Sequence, residues 1–179
     1  MKYEIVALFD DVSENHMDYI LNKVCRRYKL NKNTYNTYVH LNTIYDVKLE
    51  ELDPIITKVL KPYKKFKVQL DNDVFVDSNN KFINLKIENK GYINRIARNI
   101  SDLLNLSGFS TKPNNTPLYV PLTNTINNRK NYYLRNNNFE SLDASIKEAS
   151  FKITRIEVWK GHVNNKKDFS VKKYELRDY

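Results

Sequence analysis

A single cysteine, Cys25, in 179 residues excludes an internal disulfide framework and any zinc site built from several thiolates. Its neighbours at helical spacing are Met17, Ile20, Leu21, Val24 and Tyr28, which predicts a buried structural thiol. Glycine is almost as scarce. Gly91, Gly108 and Gly161 are the only three, and neither GxGxxG nor the P-loop pattern can be assembled from them, so nucleotide binding through those motifs is excluded. No apolar run approaches the ~18 residues of a membrane span, and the mean hydropathy is −0.66. The opening Met1-Lys2-Tyr3-Glu4-Ile5-Val6-Ala7-Leu8-Phe9-Asp10-Asp11 passes from a short apolar strand straight into acids, unlike a secretory signal. These absences predict a cytoplasmic protein with no membrane partner.

The chain does carry charge. Thirty Lys+Arg against 21 Asp+Glu give a formal net charge of +9 and a pI near 9.4. That balance favours an anionic partner such as nucleic acid, nucleotide or phosphate. A Lys- and Asn-heavy composition that merely solvates the surface gives the same balance, so charge alone does not name the partner. At 21.3 kDa the chain fits a single domain that buries about two-thirds of its unfolded surface, with no need of a metal or disulfide staple.

Strand-like and helix-like patterns alternate along the sequence. Lys2–Phe9 reads as a strand, Asp10-Asp11-Val12-Ser13 as turn and N-cap, and positions 17, 20, 21, 24, 25 and 28 as the apolar face of a helix. A polar stretch, Asn31–Asn36, leads to a strand at Thr37–Tyr45. A second helix covers Leu49–Leu60, with Pro54 in its first turn or marking its start. Lys65–Leu70, Val74–Val76 and Lys81–Ile87 read as strands, separated by turns at Asp71-Asn72-Asp73 and Asp77-Ser78-Asn79-Asn80. A third helix, Tyr92–Leu106, aligns Ile93, Ile96, Ala97, Ile100, Leu103 and Leu104. Beyond it come a loop at Ser107–Pro117, a strand at Leu118–Ile126, a polar loop at Asn127–Asn138 and a short helix at Glu140–Ala149. Strands Phe151–Lys160 and Phe169–Leu176, joined by the turn Gly161–Asp168, close the chain. The class is α+β or α/β, with helices packed on sheet.

One segment recurs. Tyr38-Val39-His40-Leu41-Asn42-Thr43-Ile44 returns in degraded form 81 residues later as Tyr119-Val120-Pro121-Leu122-Thr123-Asn124-Thr125. Each copy follows a helix and a polar loop. Two β-α-β lobes related by pseudo-symmetry, roughly residues 1–90 and 91–179 and not independent of each other, would bring the copies together across a groove.

In these two strands and their placement the sequence resembles the 2H phosphoesterases, the family of LigT-like 2′–5′ RNA ligases and cyclic nucleotide phosphodiesterases, over nearly the whole chain. The resemblance implies two His-x-Thr/Ser motifs, one per lobe, around one phosphate. Residues two apart on a strand share a face, so each histidine and hydroxyl point together into the groove. One histidine acts as general base and the other as general acid, while the hydroxyls hold phosphate oxygens. Here the first motif reads His40-Leu41-Asn42, with an amide at the hydroxyl position that still donates to phosphate. Thr43 follows on the opposite face unless a bulge shifts the register. The second motif reads Pro121-Leu122-Thr123: its threonine is present and its histidine is lost. Proline carries no side-chain proton and marks an edge or bulge.

The expected site is therefore His40 as catalytic residue, with Tyr38, Asn42, Tyr119, Thr123, Arg129 and Tyr132 binding substrate. Tyr38 and Tyr119 share His40's parity and either stack a nucleobase or form an aromatic rim. Arg129 and Tyr132 lie in a basic, tyrosine-bearing loop that either closes over a phosphate or is simply solvated. His16 and His162 read as surface histidines, Trp159 as core or rim, and the carboxylates lack metal spacing, so no metal or cofactor is expected. Two functions compete. One is a degenerate 2H protein that binds a nucleotide, cyclic nucleotide or RNA end in a basic groove with weak or no hydrolysis, as a sensor or sequestering protein. The other is an active phosphodiesterase on cyclic or 2′–5′ linkages that uses His40. A third, structural role would leave the groove vestigial.

Overall fold

The computed structural model describes residues 2–31, 37–76, 82–111, 117–125, 128–132, 139, 142, 146, 148–160 and 170–178. Among them the order is β1 (Lys2–Phe9), α1 (Asp11–Arg27), β2 (Tyr38–Tyr45), α2 (Leu49–Leu60), β3 (Phe66–Val76), β4 (Phe82–Ile87), α3 (Tyr92–Leu106), β5 (Tyr119–Asn124), β6 (Ser150–Lys160) and β7 (Ser170–Glu175). This is the mixed helix-on-sheet class that the alternation predicts. The expected turns at 77–80 and 161–168 lie outside the described residues, as do most of the 127–138 loop and of the 140–149 helix.

Local sequence explains the element ends. Asp10 caps α1 by accepting a hydrogen bond from the Ser13 amide at 2.8 Å, and the Ser13 hydroxyl accepts one from the Lys152 amide at 2.8 Å, tying the helix start to β6. Pro54 stands inside α2 rather than in its first turn. Asp71 to Asp73, read from sequence as a turn, instead continue β3 through a register shift between Leu70 and Val74. Lys86 of β4 supplies the reason: its ammonium lies 2.9 Å from Asp71 and 3.6 Å from Asp73, offsetting the charge that argues against a strand.

All strand pairings are antiparallel, in the order β1-β2-β5-β4-β3-β6-β7, and β1 also pairs with β6. Six strands thus close on themselves, with β7 added outside β6. The ring has two seams, β2–β5 and β3–β6. His40 faces Tyr119 at the first, a register that brings Val39 opposite Val120, and Gln69 faces Ser150 at the second. Val39 and Val120, like Gln69 and Ser150, are 81 residues apart, the offset of the sequence repeat. A pseudo-twofold axis through both seams follows. Each lobe borrows its outer strand from the other half of the chain: β2-β1-β6 on one side and β5-β4-β3 on the other.

The helices cover one face of this sheet. α1 packs on β1 and β6, α3 on β2, and α2 against α3. Ile5, Val39, Ile83, Leu85, Val120 and Ile156 point toward the helices and join Met17, Ile56 and Ile100 in the main core. Burial of apolar surface on this scale is the principal drive to fold. The opposite face holds a separate small cluster, Val6, Leu8, Tyr38 and Trp159.

α3 begins at Gly91, whose φ of 77° and ψ of −158° fall in a region that side-chain-bearing residues avoid. A Cβ there would meet nothing within 4 Å, so any penalty is conformational rather than steric. Gly91→Ala is expected to lower stability by about 1–3 kcal/mol, measured by urea unfolding.

Candidate functional site

Two one-residue bulges decide which side chains face the groove. In β2, His40 pairs with Val6 and Asn42 with Ile5, leaving Leu41 as the extra residue. In β5, Pro121 pairs with Asn84 and Thr123 with Ile83, leaving Leu122 extra. A bulged residue inverts the parity of everything after it. The helix-free face of β2 therefore carries Tyr38, His40, Thr43 and Tyr45, and that of β5 carries Tyr119, Pro121 and Asn124.

His40 is 5% exposed. Its Nε2 lies 2.9 Å from the Thr43 hydroxyl, and its ring stacks on Tyr119 with centroids 5.1 Å apart and an interplanar angle of 11°. An imidazole and a hydroxyl thus converge at one point on the groove face. Tyr38 packs edge-on against Trp159, with centroids 4.8 Å apart. Burial, with Glu4 and Tyr119 nearby, raises its phenol well above the ordinary range. It serves as a wall, not an open platform.

Asn42, expected to share His40's face, does not. Its amide nitrogen donates to Ser101 of α3 at 2.6 Å and its oxygen accepts from the Thr43 amide at 2.7 Å, all on the helix face. The bulge at Leu41 is the cause, and it hands the groove-facing hydroxyl role to Thr43. The repeat carries the same inversion. Thr123 is fully buried and donates to the Asn31 carbonyl at the end of α1, so it too leaves the groove, and Asn124 takes its place. Arg129 and Tyr132 are exposed in a short turn fastened to the same helix end. The Asn128 side chain accepts from the Asn31 amide at 2.8 Å, and the Asn131 side chain donates to the Tyr28 and Lys29 carbonyls at 2.8 and 2.9 Å. The structure thus brings His40, Tyr38 and Tyr119 together and anchors the others on the far side of the sheet. A signal for the inversion stood in the sequence: apolar Val39 and Leu41 are odd-numbered, and Ile44 is even.

Several charges on the groove face are paired. Lys2 bonds Glu4 at 2.6 Å, Arg155 bonds Glu157 at 2.9 Å, and Lys86 bonds Asp71. Glu157, directly across β1 from Val6, is buried and also accepts from the Trp159 indole at 2.8 Å. Burial opposes its charge, yet the hydrogen bonds from Trp159 and Arg155 outweigh that and hold its carboxyl below the usual glutamate range. Among the described residues, no group of three or more His, Cys, Asp or Glu side chains is arranged to hold a metal ion. No described helix is long and apolar enough to cross a membrane.

The chain has the 2H phosphoesterase fold. It superposes on apo LigT from E. coli with a TM-score of 0.64 at 12% identity, covering 99% of both chains. E. coli LigT complexed with 3′-AMP gives 0.61 at 11% identity, over 99% of this chain and 98% of that one. Kluyveromyces marxianus Usb1 with uridine monophosphate gives 0.55 at 13%, over 98% and 97%. No protein-family model and no curated protein matches the sequence.

The face assignments separate two neighbours. Asn42→Ala should cost about 1–3 kcal/mol of stability by leaving buried groups unpaired, with phosphate-ligand affinity unchanged. Thr43→Val, which removes the hydroxyl beside His40, should weaken phosphate-ligand affinity as well as stability; urea unfolding and calorimetric titration check both. Glu157 gives a pH test. Its carboxyl is depressed in the folded state, so its contribution is complete above about 4.5 and is lost as pH falls through the folded value. Glu157→Gln should flatten that part of the wild-type stability profile, read from thermal melts between pH 6 and 3.

Proposed function

We propose that the protein binds a phosphate-containing nucleotide or RNA end in the groove and hydrolyses it weakly or not at all. One observation carries the reading: His40 and Thr43 converge within 2.9 Å, while the residue that the pseudo-twofold axis relates to His40 is Pro121. The solved structures of the same fold support nucleotides as the ligand class, since LigT is complexed with 3′-AMP, NADP+ and ATP and Usb1 with uridine monophosphate.

A phosphate seated there accepts hydrogen bonds from the Thr43 hydroxyl and the His40 imidazole, exchanging the bond these two make with each other for two bonds to an anion. Cleavage needs more. One group must take a proton from the nucleophile and another must give one to the leaving oxygen, each step typically worth about 10²–10⁴-fold. His40 supplies one carrier and Pro121 supplies none. Thr43 and Asn124 remain as neutral donors that hold an anion without moving protons.

A second reading, an active phosphodiesterase on cyclic or 2′–5′ linkages, draws on Glu4, which lies directly across β1 from Thr43 and offers a carboxyl as substitute proton carrier. Incubation with cyclic, 2′–5′-linked and 3′-monophosphate nucleotides, followed by analysis of bound ligand and products, separates the two. The expected result is intact ligand released on denaturation. His40→Ala should weaken affinity by roughly 1.5–3 kcal/mol, and Pro121→His should raise turnover. Robust wild-type hydrolysis abolished by both His40→Ala and Glu4→Gln would establish the enzyme instead.

A further inference from the structure

The second lobe contains a polar group without an assignment. Asn84, in the middle of β4, is fully buried. Its amide nitrogen donates to the Phe82 carbonyl at 3.2 Å, which orients the side chain, and its Oδ1 has no hydrogen-bond partner. A buried carbonyl oxygen left unpaired is a standing cost to the fold. The first lobe avoids it, because the residue in the same relation to His40 as Asn84 has to Pro121 is Val6, which is equally buried.

The surroundings of Asn84 are largely aromatic, with the Lys86–Asp71 ion pair two residues on along the same face. Across β3 it faces Phe75, across β5 it faces Pro121, and Phe82 precedes it by two residues on the same face. Phe75 sits edge-on to Tyr119 with centroids 5.9 Å apart. Phe75 and Phe82 are only half-buried, so turning one of these two rings opens a way to the amide, a rotamer change of the kind side chains make readily. Aromatic faces with a single acceptor among them match a nucleobase, which stacks on its faces and donates N–H from its edge.

We infer that the lobe lacking the histidine reads the base: Asn84 Oδ1 accepts an N–H from the nucleobase edge, with Phe75 and Phe82 as the stacking surface. This rests on the reading that the phosphate sits at His40 and Thr43. β4 lies two strand spacings from β2, about 10 Å, a span that a nucleoside monophosphate covers. One N–H of the Asn84 amide is taken by the Phe82 carbonyl, and the unpaired Oδ1 favours ligands that bring a donor.

Calorimetric titration of the intact protein with 3′-AMP and with purine riboside 3′-monophosphate tests this. The two ligands share phosphate and sugar, and the second has no N–H on its base. Wild type should bind 3′-AMP about tenfold more tightly, the effect of one buried acceptor gaining its partner. Asn84→Val, which installs the residue of the other lobe, should equalise the two affinities while raising the melting temperature. The wild-type comparison stands even if that variant does not fold. Equal wild-type affinities that fall with Thr43→Val would overturn the base-reading role and leave the phosphate site in place. A preference for 3′-AMP that persists in Asn84→Val would overturn it as well. Failure of wild type to bind either compound would overturn both readings together.

Discussion

The candidate site depends on one rule of strand geometry: side chains alternate, and a single extra residue reverses every one that follows. Leu41 and Leu122 are those extra residues, placed alike in the two copies of the repeat. Without the first, Asn42 would sit beside His40 and Thr43 would lie against α3. With it, Asn42 becomes a buried strut bonded to Ser101 and Thr43 becomes the partner of the imidazole. A small backbone irregularity thus selects which of two adjacent polar residues faces the groove and which supports the helix layer. The second bulge does the same to Thr123 and Asn124, so the two halves keep a common architecture even where their chemistry has diverged.

That divergence is uneven. The first lobe keeps the groups that handle a proton or an anion: His40, Thr43 and the carboxylate of Glu4. The second presents proline, asparagine and phenylalanine at the related positions, Pro121, Asn124 and Phe82. The second lobe has no proton-transfer group at the position related to His40, while it retains hydrogen-bond donors and apolar surface. Around the groove, Lys2 is paired with Glu4 and Arg155 with Glu157.

Much of the fold was legible because periodicity is a local property. The apolar spacing in α1, α2 and α3 and the β-branched content of β1 and β2 each name an element without reference to the rest of the chain. The echo of Tyr-Val-x-Leu announced that residues 38–44 and 119–125 occupy related places, and the β2–β5 seam places them side by side. Long-range effects stayed hidden. Asp71-Asn72-Asp73 reads as a turn until Lys86, on another strand, neutralises it. The face of Asn42 could not be assigned because a bulge leaves only a slip in parity, from Leu41 to Ile44, and a slip of that kind looks the same as an imperfect strand. Asn84 and Glu157 were invisible as site residues for a related reason: each sits on a strand whose neighbours are set by topology, and neither belongs to a repeated motif.

The exchange of β3 and β6 between lobes has a consequence for how the chain acquires its structure during synthesis. β1 lies within the first ten residues, yet one of its two neighbours, β6, spans residues 150–160. Until that segment has emerged from the ribosome, the first lobe exposes an open strand edge made of Ile5, Val6, Ala7 and Leu8, the kind of edge on which chains aggregate. Folding of the amino-terminal half therefore cannot finish on its own schedule. It waits on residues 150–160, so translation speed and chaperone cover over the interval between the two strands bear directly on yield.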